Sequence, residues 1–236
     1  MRLILVSKFL FKQFEVAHDK CAFKVGTDSI LLGSWVTGEF ESVLDIGCGS
    51  GLLALMCAQK FEVARIIGVE IDADSAAQAQ KNVFNSPWSD RVEVSCDDIR
   101  RGKKEPFDLI ISNPPYFPSQ LESPSLRKNV ARQERSLSLF DLMVSAQSCS
   151  HSESILALVF PFDRLEELKK VGAGQGWYLR REMRLVSMPG KRCERVLTQF
   201  ERSDGDLDSK ILRIEDEMGR YSHEFKEMTS MFYLKF

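Results

Sequence analysis

From Ser42 onward, short apolar runs alternate with longer amphipathic ones, the pattern of a parallel sheet whose strands are joined by crossover helices. The runs predict strands near 42–46, 65–70, 92–96 and 107–112, with helices near 51–60 and 73–85 between the first three. A helix near 138–149, apolar on one face at Leu139, Leu142, Met143 and Ala146, leads into a strand over 154–160. Another helix follows near 163–171. The last third changes character: 177–186 and 193–201 are strand-like and are separated by Ser187, Met188, Pro189 and Gly190, which predicts an antiparallel hairpin. A short strand near 210–214 and a helix beginning near Ser222 close the chain. The expected class is therefore α/β, with a mostly parallel sheet and an antiparallel C-terminal hairpin.

The first forty residues read as an N-terminal extension to a domain over 41–236, and 236 residues suffice to bury a sizeable core. In the extension, Phe9, Phe11, Phe14 and Val16 suggest a short strand or an arm. Gly26 permits a tight turn, and Thr27 is placed to N-cap a helix over 29–36. His18 stands alone and reads as a structural histidine. Six cysteines without a C-x-x-C pair do not suggest zinc. The apolar run at Leu3, Ile4, Leu5 and Val6 is too short for a signal-peptide core, and no run approaches a membrane span. These features predict a reduced, soluble, cytoplasmic protein. A formal charge of −2 does not exclude a nucleic-acid partner, because that footprint is a local patch and not a sum.

Two stretches carry the chemistry. Val43-Leu44-Asp45-Ile46-Gly47-Cys48-Gly49-Ser50-Gly51 ends the first strand of the repeat and opens its helix, so backbone amides are exposed to a ligand that approaches closely. Leu52 stands where a dinucleotide-binding loop would carry its third glycine, and no Gly-Lys-Ser/Thr follows, which argues against NAD and against a nucleotide hydrolase. Glu70 ends the second strand, and Asp97 and Asp98 end the third. Acids at the ends of three successive strands, with glycines at the first, form one binding constellation. The second stretch is the apolar run from Phe107, which stops at Asn113-Pro114-Pro115-Tyr116-Phe117. Proline gives no ladder hydrogen bond and pushes its predecessor from helical angles, so the strand ends at Asn113 and leaves extended. That edge of an open α/β sheet is where ligands bind.

The glycine loop resembles the cofactor loop of class I S-adenosylmethionine-dependent methyltransferases. The resemblance implies a Rossmann-like, seven-stranded sheet, with Asp45, Gly47, Gly49 and Gly51 around the methionine end of the cofactor, Glu70 on the ribose and an acid at the adenine amine. Asp98, directly before Ile99, is chosen over Asp97 for that last place. Asn113 to Tyr116 resemble the signature of methyltransferases that act on planar nitrogen. By that resemblance the Asn113 side-chain oxygen and the Pro114 carbonyl grip the amine, Pro115 adds rigidity and Tyr116 stacks on the substrate.

The flanks choose among substrates. Phe11-Lys-Gln-Phe14, His18-Asp-Lys-Cys-Ala22, Val25-Gly-Thr-Asp-Ser-Ile-Leu-Leu-Gly33, and the close with Tyr221, Ser222, Glu224 and Phe232-Tyr-Leu234 look like bacterial valine-tRNA adenine N6-methyltransferases. The resemblance implies methylation of N6 of the adenosine 3′ of the anticodon and a tRNA partner. Other RNA, DNA adenine, a protein glutamine, or a non-catalytic binding module on the cofactor fold are the alternatives. Basic residues suited to RNA follow the signature at Arg127, Lys128, Arg132 and Arg135, and lie on the hairpin at Arg180, Arg181, Arg184, Lys191, Arg192 and Arg195.

Overall fold

Each apolar run of the repeat forms a strand with helical crossings between, in a computed structural model that describes residues 8–21, 23–102, 105–115 and 137–236. After the hairpin β1 (Lys8–Leu10) and β2 (Glu15–Ala17) and helix α1 (Thr27–Trp35) come β3 (Ser42–Ile46), α2 (Leu52–Lys60), β4 (Arg65–Glu70), α3 (Ala73–Phe84), β5 (Val92–Cys96) and β6 (Phe107–Ser112). Helix α4 (Leu139–Ser148), strand β7 (Ser150–Pro161) and helix α5 (Leu165–Ala173) follow. The chain continues through β8 (Tyr178–Val186), β9 (Arg195–Glu201), β10 (Asp208–Arg213) and helix α6 (His223–Thr229).

The main sheet runs β10-β8-β9-β7-β6-β3-β4-β5, and within it only β9 is antiparallel to its neighbours. The hairpin expected over 177–201 is β8–β9. The expected seven strands are joined by an eighth: β10 pairs parallel along the outer edge of β8. The order in which strands are laid down reverses at β3, with β4 and β5 on one side and β6 and β7 on the other. That switch point opens a crevice at the carboxyl ends of β3 and β6.

Period-two alternation buries both faces of the sheet. Val43, Leu109, Ile111, Ala157 and Val159 face a core shared with α1, α2 and α3, whereas Leu44, Ile110, Leu156 and Leu158 face one shared with α4 and α5. The N-terminal segment is part of the first core: Phe11, Phe14 and Val16 are buried against it. Phe14 meets Trp88 edge-on, with ring centroids 5.7 Å apart. His18 is structural, its Nδ1 accepting the Val25 N–H at 3.0 Å just ahead of α1.

Helix α1 starts earlier than expected. Gly26 occupies the cap position with extended angles (φ −128°, ψ 159°), and Thr27 is the first helical residue, so its hydroxyl does not cap. No helix among the described residues is long and apolar enough to cross a membrane.

Candidate functional site at the switch point

Between β3 and α2 the chain turns sharply, and Gly47, Gly49 and Gly51 hold φ values of +69°, +55° and +79°, a left-handed region that disfavours any Cβ. The three glycines do different things. A Cβ at Gly47 or Gly49 would meet no atom within 4 Å, so both border open space, whereas at Gly51 it would lie 3.3 Å from the Ala79 Cβ on α3. The loop is tied to β4 by the Gly47 and Cys48 N–H groups, which donate to the Val69 carbonyl at 2.8 and 3.1 Å.

Glu70, ending β4, secures the same loop. Its Oε2 accepts the Gly49 N–H at 2.8 Å and its Oε1 accepts the Asp72 N–H at 2.9 Å. Each carboxylate oxygen keeps further acceptor capacity after one such bond. Asp45 is 0% exposed. Its Oδ2 accepts the Ala54 N–H in the first turn of α2 at 3.1 Å, and its Oδ1 has no hydrogen-bond partner among the described residues. Burial pushes the Asp45 carboxyl up to about 7, against the Ala54 N–H, with the Glu70 charge adding to the rise.

At the end of β5 the acids diverge. Asp97 is exposed, and its Oδ1 accepts the Asp98 N–H at 2.7 Å. Asp98 is gripped by the Arg100 guanidinium, with Nε 2.8 Å from Oδ1 and Nη2 2.8 Å from Oδ2. That contact holds its carboxyl below the usual carboxylate range. Both acids, with Gly47, line a cleft whose apolar walls include Val69, Ile71, Ile99 and Leu137. Ile71 is 38% exposed. Arg100 and Ile71 were absent from the sequence-derived candidates; their position flanking the strand-end acids was the available signal.

The register Asp45↔Ile111 is the last pair of the β3–β6 ladder, so Gly47 and Asn113, each the first residue past its strand, leave the sheet at the same edge. Ser112 locks that edge, its hydroxyl donating to the Ile46 carbonyl at 2.7 Å. Asn113 is half-buried, Pro114 is buried and Pro115 exposed; Tyr116 lies outside the described residues. The Asn113 Nδ2 donates to the Ser29 Oγ at 2.8 Å, across 84 residues of sequence. Ser29 sits in the first turn of α1, next to Asp28, which pairs with Arg195 at the start of β9 (Nε to Oδ2 3.3 Å). Burial raises the Asp28 carboxyl and Arg195 opposes that rise. The sequence reading missed Ser29, because no local pattern marks a contact between an extension helix and a strand end.

Comparisons with known proteins identify the family and the fold. Residues 15–164 match the methyltransferase small domain family. A Bacteroides fragilis protein named tRNA1(Val) (adenine(37)-N6)-methyltransferase is 40% identical over 232 residues, covering 96% of this chain and 98% of that protein. Proteins of the same name from Yersinia enterocolitica (40% identical, 97% of this chain and 93% of that protein) and Phocaeicola vulgatus (41%, 96% and 97%) are similar over the same extent. Among solved structures, a predicted O-methyltransferase of Agrobacterium tumefaciens superposes with a TM-score of 0.70 at 20% identity, over 87% of this chain and 96% of that one. Pyrococcus horikoshii TYW2 in complex with MeSAdo gives 0.61 at 16% identity, over 86% and 74%. These two likenesses establish the class I methyltransferase fold. With a glycine loop and Asn113 side by side at the switch point, and with relatives matched across nearly its full length, the chain belongs to the tRNA1(Val) (adenine(37)-N6)-methyltransferase family.

Proposed function

We propose that this protein transfers the methyl group of S-adenosylmethionine to N6 of the adenosine 3′ of the anticodon in valine tRNA. The observation that carries the reading is the β3–β6 register, which sets Asn113 beside the glycine loop. The residues present fit the cofactor. Open space over Gly47 and Gly49 admits its methionine end, and the partnerless buried Oδ1 of Asp45 suits a cationic group. Glu70 retains acceptor capacity for ribose hydroxyls, while Ile71 and Ile99 wall the cleft for adenine, with Asp98 at its amine. When bound, the cofactor supplies an electrophilic methyl on sulfonium sulfur.

The residues of the chain do the rest. An adenine N6 lone pair is delocalised into its ring and attacks poorly. The Asn113 Oδ1 and the Pro114 carbonyl accept its two hydrogens, localising the lone pair and aiming it in line at the methyl carbon, where near-attack separations are about 3–3.5 Å. With the cofactor bound, the methyl would pass to N6 while its former bonding pair stayed on sulfur, and N6 would give one proton to water. Pro115 stiffens the exit, and Tyr116 stacks on the extruded base, worth roughly 1–3 kcal/mol. In this reading the segment 1–40 is a working part of the 41–236 domain, because its helix α1 holds Asn113. A tRNA substrate places the protein in the cytoplasm.

The test is to supply methyl-labelled S-adenosylmethionine separately with tRNA lacking the modification, DNA and a protein extract. Label in N6-methyladenosine of valine tRNA is the expected result; label in protein and not in tRNA overturns it.

The raised Asp45 pKa has a definite sign. An acid whose pKa rises on folding binds its proton more tightly in the folded chain. Folding therefore loses stability as pH climbs from the unfolded value of about 3.9. The loss levels off near the folded value of about 7. Asp45→Asn is expected to flatten the melting temperature of the cofactor-free protein between those two pH values and to raise it at pH above 7. The same substitution weakens cofactor binding, read by calorimetry, because the site loses its negative oxygen. An unchanged pH profile with unchanged affinity would remove Asp45 from the site.

A further inference from the structure

The six basic residues of the β8–β9 hairpin are sorted by the topology into two ends. Strand β7 is parallel to β6, β9 is antiparallel to β7, and β8 is antiparallel to β9, so β8 ends at the edge where β6 ends. The turn 187–194 therefore stands at the carboxyl edge of the sheet with Asn113. Strands β9 and β8 lie two and three places from β6, about 10 to 14 Å along the sheet at roughly 4.8 Å per strand. A direct chain of contacts gives the same placement. Arg195 at the base of the turn pairs with Asp28, and the adjacent Ser29 accepts the Asn113 amide.

Arg180 and Arg181, at the other end of β8, are spent on their own chain. The Arg180 guanidinium donates to the Asp206 and Ser203 carbonyls at 3.1 and 3.3 Å. Arg181 lies 4.4 Å over the Trp35 ring and donates to the Thr37 hydroxyl. Nearer the turn, Arg184 pairs with the buried Glu182 and sits over Phe162. Lys191 and Arg192 differ from all of these: both are exposed, and among the described residues neither side chain makes an ion pair or hydrogen bond. They are also held in place. Met188, Pro189, Gly190 and Lys191 form a turn with proline at its second position and Gly190 at φ +76°, closed by the Lys191 N–H to the Met188 carbonyl at 3.1 Å. Glu194, the one acid in the turn, is exposed, and its backbone carbonyl accepts the Phe162 N–H at 3.0 Å, so two cations face one acid there.

From this juxtaposition we infer that Lys191 and Arg192 are the point where tRNA phosphates dock on the carboxyl edge of the sheet. The RNA backbone then runs from this turn toward the adenosine held at Asn113. The inference rests on the tRNA reading above and names the face that the substrate uses. The separation corresponds to about three to four stacked nucleotides at ~3.4 Å of rise each, which fits flanking nucleotides of the same loop or stem. A point charge and a planar guanidinium side by side suit phosphate oxygens, and they supply affinity without reading sequence.

The experiment measures binding of unmodified valine tRNA across a salt series for the full-length protein and for Lys191→Ala/Arg192→Ala. The double variant is expected to bind roughly tenfold more weakly, with a plot of log affinity against log salt shallower by about 1.4–1.8, the change for two lost phosphate contacts. S-adenosylmethionine affinity checks that the variant is folded, and each single variant gives half the slope change. Lys169→Ala/Lys170→Ala, on α5, removes equal charge elsewhere and is expected to leave the slope nearly as it was. If the wild type methylates tRNA while the turn variant matches it in affinity and slope, or if the α5 variant loses as much, the docking assignment falls. If the wild type neither binds nor methylates tRNA, the functional reading itself falls.

Discussion

Asn113→Ala is expected to lower kcat for tRNA methylation by about 10²–10³-fold, the usual cost of removing one preorganised polar group that acts in the transition state. S-adenosylmethionine affinity, measured by calorimetry, is expected to stay nearly the same, because Asn113 is assigned to the substrate and not to the cofactor. An equal loss of cofactor affinity would contradict that division. Ser29 gives a graded companion. Its Oγ accepts the Asn113 Nδ2–H at 2.8 Å, which ties the amide to helix α1. Ser29→Ala removes that hydrogen bond from the amide, so kcat falls by roughly tenfold, about the worth of one hydrogen bond. The KM for cofactor holds, and Ser29→Thr, which keeps the hydroxyl, restores the rate. A residue that merely stabilised α1 would lower the melting temperature without this selective effect on kcat.

Glu70→Gln is the second large effect. The change preserves shape, but one corner of the side chain becomes an NH₂ group. With its oxygens at 2.8 and 2.9 Å from the Gly49 and Asp72 N–H groups, one of those donors must then face another donor. Losing a charge-assisted hydrogen bond of that kind costs about 1.5–3 kcal/mol. The cost falls on the glycine loop, so cofactor affinity is expected to drop by roughly 10–100-fold, while the melting temperature of the cofactor-free protein shifts by only a few degrees. Wild-type cofactor affinity in Glu70→Gln would show that the loop holds its shape by its glycines alone.

The parallel half of the sheet was legible in the sequence because β3 and β6 are buried almost throughout, β4 and β5 keep regularly spaced apolar residues, and all four end at chemically distinct residues. The runs at 42–46, 65–70, 92–96 and 107–112 each became a strand with those bounds. Strand β7 begins four residues earlier than its apolar run. Its polar start is held by distant partners, with the Ser154 hydroxyl donating to the Phe107 carbonyl and His151 Nε2 lying 3.0 Å from Asp108. Strand β10 is mostly exposed at the sheet edge, so its apolar signal is weak and only its pairing with β8 defines it. At the site, the glycines and strand-end acids were readable because turn geometry and strand termini are local properties. The grip of Arg100 on Asp98, the Asn113–Ser29 bond and the burial of Asp45 depend on packing and side-chain direction, which no spacing encodes.

The side chain of Asn82, buried on α3, joins three parts of the molecule. Its Nδ2 donates at 2.8 Å to the carbonyls of both Ala17 in β2 and Ser50 in the glycine loop, and its Oδ1 accepts the Ala17 N–H at 3.0 Å. The N-terminal hairpin and the glycine loop consequently share one set of buried hydrogen bonds. Removing that one side chain, as in Asn82→Ala, would therefore leave buried backbone groups without a partner in both segments at once.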